Sequence, residues 1–174
     1  GYGGHTSKML ECLEGNGHVY GLDIDPIEIE KTKKRLADKG FGDNIFTAIN
    51  TNFANIDEVA KEYGPFDFVL ADLGVSSMQI DNPERGFTYK YDGPLDLRLN
   101  PHKGISAAQR LENIREDELE GMFIENSDEP YAAEIAKAIV ERNRKGQKIT
   151  TTLMLKDVIE EALSFIPQKE RKEA

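Results

Sequence analysis

Residues 66–100 read FDFVLADLGVSSMQIDNPERGFTYKYDGPLDLRLN, and this stretch decides the fold. The apolar run Phe66–Ala71 is typical of a buried strand, and it stops at Asp72. The segment that follows, Ala71–Asn100, has neither a helical nor a strand period, yet it is too apolar for a solvated linker. Open α/β sheets bind their ligands at the carboxyl ends of strands. We therefore predict that this segment, the central loop, forms the floor and wall of an active site.

The residues before the central loop alternate between helix and strand patterns. The predicted order is helix 6–13, strand 18–25, helix 26–39, strand 45–49, helix 56–63 and strand 66–71. Asp25 is the expected N-cap of the second helix, since Pro26 suits the first helical position. Strands and helices that alternate at this spacing predict a parallel sheet with crossover helices, which is an α/β fold.

A glycine cluster opens the chain as Gly1-Tyr2-Gly3-Gly4-His5. Asp23 follows about 20 residues after Gly3, at the tip of the next strand. Nucleotide-binding α/β domains hold a ligand against glycine backbone and bind its ribose through an acid at such a position. Asp23 has the alternative role of capping the next helix, but Asp25 fills that role better. Asp23 is therefore left as a candidate ligand residue.

After the central loop the pattern becomes helical, with helices predicted over 106–111, 115–125, 129–144 and 153–165, the last capped within 150–152. We predict two domains, a partial cofactor-binding core over residues 1–104 and a helical lobe over residues 105–174. The charged end, residues 168–174, is expected to fray.

The net charge of −10 argues against a protein that binds nucleic acid through its whole surface. Basic residues nevertheless exceed acidic ones in two segments, 83–110 and 133–150, where two ordinary solvated faces are the alternative. The single cysteine, Cys12, excludes an internal disulfide, and there is no export leader or membrane-length apolar run. These features favour a cytoplasmic protein.

The sequence offers little sign of metal or serine chemistry. The three histidines, His5, His18 and His102, are scattered and have no partners at metal-ligand spacing. Ser76-Ser77 lacks the Gly-x-Ser-x-Gly context of a hydrolase nucleophile. We predict no metal site.

Six ordered blocks resemble one family: Gly1-Tyr2-Gly3-Gly4-His5, Leu22-Asp23-Ile24-Asp25-Pro26, Asp72-Leu73-Gly74-Val75-Ser76-Ser77-Met78-Gln79, Glu84-Arg85-Gly86-Phe87, Asp92-Gly93-Pro94-Leu95-Asp96-Leu97-Arg98 and Ala138-Ile139-Val140-Glu141-Arg142-Asn143-Arg144. The chain is similar to the ribosomal RNA small subunit methyltransferase H family (MraW) over nearly its whole length. The resemblance implies a partial Rossmann-like methyltransferase sheet with an inserted helical lobe. It also implies methyl transfer from S-adenosylmethionine to N4 of a cytosine in the decoding centre of 16S ribosomal RNA.

The resemblance further implies a cofactor site made of Gly3, Gly4, His5, Asp23, Phe53, Asp72 and Gln79. The first three would line the methionine end of S-adenosylmethionine, and Asp23 would take the ribose hydroxyls. Phe53 would pack near the adenine, and Asp72 and Gln79 would close the pocket. The helical lobe would help to recognise the RNA of the small ribosomal subunit.

The implied methyl transfer requires particular groups in the active site. A cytosine amino group is a poor nucleophile, so the enzyme must hold it in line with the sulfonium methyl and provide a proton acceptor. Asp72 and Asp96 are the candidates for the acceptor. The Asp-Leu-Gly-Val sequence at Asp72 has no aromatic to stack the base. Phe87 or Tyr89 is a candidate for that role, and structural packing is the alternative for both.

A base in folded RNA must be splayed out to reach the site. Arg85, Arg98 and Lys103 are candidates for holding its phosphates.

The sequence departs from the family at both ends. A strand before the glycine cluster is missing, and the family continues beyond Ala174. We therefore expect a fragment with about three strands of a seven-stranded sheet. Two other functions stay open: an NAD-dependent oxidoreductase, and a piece without catalytic competence whose exposed sheet edges aggregate or form a homodimer.

Overall fold

The computed structural model describes residues 3–167. The predictions on Gly1, Tyr2 and the frayed end 168–174 lie outside these residues. The regular elements of the described part are α1 (Gly4–Leu13), β1 (Val19–Asp23), α2 (Pro26–Asp38), β2 (Phe46–Asn50), α3 (Ile56–Tyr63), α4 (Ser77–Ile80), α5 (Ala107–Asn113), α6 (Glu116–Ser127), α7 (Ala132–Arg144) and α8 (Thr152–Ala162). No helix within residues 3–167 is long and apolar enough to cross a membrane.

The chain divides into two compact units. The first unit contains residues 3–78 together with Leu99–His102, and the second contains Gln79–Arg98 and the residues from Lys103 onward. Most of the central loop therefore groups with the helices rather than with the sheet. The division by role at residue 104 stays a prediction.

In the first unit, β1 and β2 form a parallel pair in which Asp23 is opposite Asn50. Leu10, Leu36 and Phe46 are buried beside the sheet and form its core with α1 and α2. The Asp25 side chain accepts hydrogen bonds from the backbone of Ile27 and Glu28, which confirms its predicted role as N-cap of α2. The α/β class with a parallel sheet is therefore confirmed, as a partial Rossmann-like fold.

The third predicted strand, Phe66–Ala71, does not form. The segment has no strand partner among residues 3–167, and the side chains of Phe68, Val69 and Leu70 are exposed. The prediction was wrong: strand propensity reflects packing against neighbours on a sheet, and this run pairs with neither β1 nor β2. Apolar Leu73 and Val75, further along the chain, are exposed as well.

The second unit has the larger core. Its buried side chains are Leu95, Ile114, Leu119, Ile135, Ala136, Ile139, Ile149 and Val158. The Ser106 hydroxyl and the Gln109 side chain form a capping box at the start of α5, and Thr151 caps α8. The four predicted helices are confirmed. The third of them, α7, begins at Ala132 rather than at residue 129, because Asp128 forms the C-cap of α6.

The central loop is less irregular than its sequence predicts. It contains the one-turn helix α4 and a short 3-10 turn over Pro83–Arg85. Pro94 forms an isolated antiparallel bridge with Thr151, and the backbone N–H of Leu95 donates to the carbonyl of Thr150. Buried Leu95 thus fixes the later part of the loop in the core of the second unit.

Candidate functional site

The two glycines at the start of α1 leave the helix backbone accessible to other groups. Gly3 precedes the helix with φ 79°, a left-handed conformation that suits glycine, and no side chain caps the first turn. A Cβ added to Gly3 would lie 2.7 Å from Cγ2 of Thr32, whereas one added to Gly4 would meet nothing within 4 Å. Within residues 3–167, no side chain caps the first amides of α1, and the space beside Gly4 is open, which suits an anionic group.

Asp23 ends β1 in the same unit. Its Oδ1 accepts a hydrogen bond from the backbone N–H of Asp25 at 2.9 Å, and its carbonyl accepts one from the Asn50 side chain at 2.9 Å. A cavity of about 60 Å³ is lined by Gly3 and Asp23, among others. This volume admits water but no nucleoside, so these residues alone do not enclose a cofactor.

His5 and Asp72 meet at the edge of the first unit. The two side chains lie 2.9 Å apart, from Nδ1 to Oδ2, and both are 71% exposed. His5 is in the first turn of α1, and Asp72 follows the exposed apolar run. The structure therefore brings together the glycine cluster and the start of the central loop, as a shared cofactor site requires.

Two further predicted cofactor residues differ in exposure. Phe53 begins the short turn after β2, and its side chain is exposed. Gln79 lies in α4 and is buried. Their roles toward a cofactor stay predictions.

Asp96 is held by Arg98. The guanidinium donates from Nε at 2.8 Å to Oδ1 and from Nη2 at 2.6 Å to Oδ2. These hydrogen bonds from Arg98, opposed by burial, lower the pKa of the Asp96 carboxyl. Leu97, between the two, has φ 61°, which is uncommon for a residue with a side chain. Asp96 is thus a weaker base than an ordinary aspartate and is already engaged.

The candidate phosphate-binding residues differ in exposure. Arg85 is buried, donates from Nη2 to the carbonyl of Arg98 at 3.1 Å and lies 5.9 Å from the centre of the Phe87 ring. The structure thus brings Arg85, Phe87 and Arg98 into one packed cluster inside the central loop. Lys103 is exposed, and it precedes Gly104, whose carbonyl accepts from Arg98. Tyr89 is exposed, unlike Phe87.

A larger cleft of about 660 Å³ lies in the second unit. It is lined by the end of α5, the turn before α6, the first turns of α6 and one side of α7, and it contains none of the predicted site residues. Its lining carries both signs of charge, with carboxylates from Glu112, Glu116, Asp117 and Glu120 and guanidinium groups from Arg115 and Arg144. Within residues 3–167 no three His, Cys, Asp or Glu side chains are grouped to hold a metal ion.

A parallel strand pair, a glycine start of a helix and an acid at the end of the next strand define a partial Rossmann-like α/β domain. Comparison with known sequences gives the particular family. The chain belongs to the MraW methylase family, whose model matches residues 1–174.

Several curated relatives cover the chain almost completely. It is 65% identical over 173 residues to a protein of Agathobacter rectalis and 64% identical over 174 residues to one of Lachnoclostridium phytofermentans, each named ribosomal RNA small subunit methyltransferase H 1. A protein of Alkaliphilus metalliredigens, named ribosomal RNA small subunit methyltransferase H 2, is 57% identical over 173 residues. The matches cover 99%, 100% and 99% of this chain but 50%, 48% and 50% of the relatives, so the chain spans about half their length.

Proposed function

We propose that the full-length protein carrying this chain transfers a methyl group from S-adenosylmethionine to N4 of a cytidine in the decoding centre of small-subunit ribosomal RNA. The observation that carries the proposal is the hydrogen bond between His5 and Asp72, which puts a carboxylate beside the glycine start of α1. Family membership and the names of the relatives support the same reaction class.

The chain's residues fit S-adenosylmethionine in their chemistry. The uncapped amides at the start of α1 are donors for the carboxylate of its methionine part, and the open space at Gly4 lets a ligand approach the backbone. The Asp23 carboxylate is an acceptor for ribose hydroxyls. Phe53 and Gln79 complete the proposed set. When bound, the cofactor supplies the methyl group on a sulfonium centre.

The protein's part in the chemistry is to orient the cytosine amino group and to take up its proton. Asp72 is the better acceptor of the two candidates, because its carboxylate is exposed and contacts His5 through Oδ2, whereas both carboxylate oxygens of Asp96 accept from Arg98. An N–H bond to Asp72 would raise the electron density on the amino nitrogen and receive the proton as the new N–C bond forms. His5 would hold the Asp72 carboxylate in position for this step.

The second unit is proposed to face the RNA. Its core is filled by aliphatic side chains, which leaves its surface and the central loop for substrate contacts. The partner is the small ribosomal subunit, and the setting is the cytoplasm. These assignments follow from the proposed reaction.

The test is made in two steps with the full-length protein. Calorimetric titration with S-adenosylmethionine should give saturable binding, with NAD as the competing cofactor that should not bind. Small ribosomal subunits lacking the modification are then incubated with protein and S-adenosylmethionine, and the digested RNA is examined by mass spectrometry. N4-methylcytidine at one decoding-centre position supports the proposal. Methylation of another atom, or binding of NAD instead, contradicts it.

A further inference from the structure

Three consecutive residues of the central loop, Tyr89-Lys90-Tyr91, project from the second unit. The two tyrosine side chains are 68% and 67% exposed, and Lys90 is exposed as well. Neither ring contacts another ring among residues 3–167, whereas Tyr131 packs edge-on against Phe165. We call these three residues the Tyr-Lys-Tyr segment.

The segment is anchored on its amino-terminal side. Thr88 is buried, and its hydroxyl accepts the backbone N–H of Lys90 at 3.2 Å. Gly86 has φ 74°, and a Cβ there would lie 2.5 Å from the carbonyl oxygen of Pro94, so the chain is packed tightly just before the segment. The rings are therefore presented from ordered backbone.

The carboxyl-terminal side is anchored on α8. The hydroxyl of Thr152 donates to the carbonyl of Tyr91 at 3.2 Å, and the backbone N–H of Thr152 donates to the carbonyl of Gly93 at 3.0 Å. The backbone N–H of Leu153 donates to Oδ1 of Asp92 at 3.2 Å. The one acid next to the segment is thus directed at the start of α8.

The charge of Lys90 is not neutralised within the described part of the chain, where it has no carboxylate partner. Six other cations of the second unit form ion pairs, which are Arg98–Asp96, Arg110–Glu118, Arg115–Asp117, Arg142–Glu161, Lys148–Glu112 and Lys156–Glu160. The chain has a net charge of −10, so an unpaired lysine is a local positive site. Placed between two exposed rings, it attracts an anion that also carries planar rings.

We propose that the Tyr-Lys-Tyr segment is a contact site for single-stranded RNA, in which Tyr89 and Tyr91 stack on unpaired bases and Lys90 contacts the phosphate between them. The inference rests on the proposed function and adds residues to it. Aromatic rings interleaved with a cation are the common way of holding single strands, because every base has a face on which a ring can stack. Anchoring at both ends reduces the conformational entropy lost on binding.

The experiment uses the full-length protein and four variants: the double variant Tyr89→Ala/Tyr91→Ala, the double variant Tyr89→Phe/Tyr91→Phe, Lys90→Ala and Lys34→Ala. Lys34 is an exposed lysine of α2 that has no carboxylate partner among residues 3–167, and it serves as the charge control. The probes are a mixed-sequence single-stranded RNA oligonucleotide, naked small-subunit ribosomal RNA and intact small subunits. Affinity is measured at several salt concentrations, beside thermal melting and S-adenosylmethionine binding.

The alanine double variant should bind the oligonucleotide at least about 10-fold more weakly, and phenylalanine at both positions should restore binding, since stacking needs the ring and not the hydroxyl. Lys90→Ala should weaken binding and reduce the salt slope by about 1, whereas Lys34→Ala should not. Melting and cofactor binding should be unchanged in all variants.

Wild-type affinity in the alanine double variant would overturn the inference. A loss seen only with intact subunits, and not with naked RNA, would also overturn it and assign the segment to a protein partner. If the wild-type protein transfers no methyl group to small subunits, the proposed function fails, yet the oligonucleotide titration still decides whether the segment binds RNA.

Discussion

Nδ1 of His5 lies 2.9 Å from Oδ2 of Asp72, although the two residues are 67 positions apart in the chain. Because both side chains are exposed, the contact adds little to the free energy of folding. The hydrogen bond mainly fixes position, because it holds the first turn of α1 beside the beginning of the central loop. A carboxylate held in this way is oriented without being buried.

The first prediction concerns Asp72 as proton acceptor. Asp72→Asn keeps the shape and an acceptor oxygen for His5 but removes the charge, so cofactor affinity should stay near that of the wild type. Methyl transfer should fall by about 10²- to 10⁴-fold, the usual contribution of a positioned base. Single-turnover transfer to small subunits measures the effect. Asp81→Asn, at an exposed acid of the same loop, is the control, and wild-type turnover in Asp72→Asn would eliminate the role.

The second prediction concerns the ribose contact. Asp23→Ala removes a charged acceptor, so S-adenosylmethionine binding should weaken by roughly 1.5–3 kcal/mol, or about 10- to 150-fold in Kd. Asp38→Ala, at the exposed end of α2, should bind normally. Both are compared by calorimetric titration of the full-length protein. Equal Kd values for the two variants would remove Asp23 from the site.

The third prediction separates the two adjacent glycines. Gly3→Ala places a methyl group against Thr32 at a positive φ, so the free energy of unfolding should fall by at least about 1–2 kcal/mol. Gly4→Ala has free space and a helical conformation, so stability should be unchanged or slightly raised. Urea unfolding gives both values.

Thr32→Ser offers a check on the cause of the Gly3→Ala loss. It removes Cγ2 while keeping the hydroxyl that accepts from Arg35. The double variant Gly3→Ala/Thr32→Ser should therefore recover part of the stability. If it recovers none, the clash with Thr32 is not the reason for glycine at position 3.

The fourth prediction concerns pH. Because hydrogen bonds from Arg98 lower the pKa of Asp96, the pair stabilises the fold above the unfolded-state pKa of about 3.9. That contribution is lost as the pH falls through the lower folded-state pKa. Arg98→Met should lower the free energy of unfolding at pH 7, and the difference from wild type should shrink below about pH 4.

Arg115→Met is the matched control for this experiment. Arg115 and Asp117 have the same spacing of two residues, but both side chains are more than 70% exposed. Loss of this solvent-exposed pair should leave the free energy of unfolding nearly unchanged at either pH. Equal effects of the two substitutions would show that partial burial of Asp96 is unimportant.

The sequence predicts the elements whose signals are local. The Asp25-Pro26 start of α2 and the Ser106 capping box of α5 depend on residues within one turn, and both form as the sequence implies. The predicted strand Phe66–Ala71 does not form, because a strand depends on pairing with distant residues and its own apolar sequence does not provide that pairing. Within the site, the resemblance supplied the roles of His5 and Asp72. Neither their hydrogen bond nor the packing of Thr32 on Gly3 has a local signal, since each joins distant parts of the chain.

The anchoring of the Tyr-Lys-Tyr segment on α8 provides a spectroscopic reporter. The amide protons of Thr152 and Leu153 bond to Gly93 and Asp92, about sixty residues earlier in the chain. Their hydrogen-exchange rates therefore measure how often the loop detaches rather than how often the helix frays. Slower exchange of these two amides on addition of RNA would register occupancy of the loop without a label or a mutation.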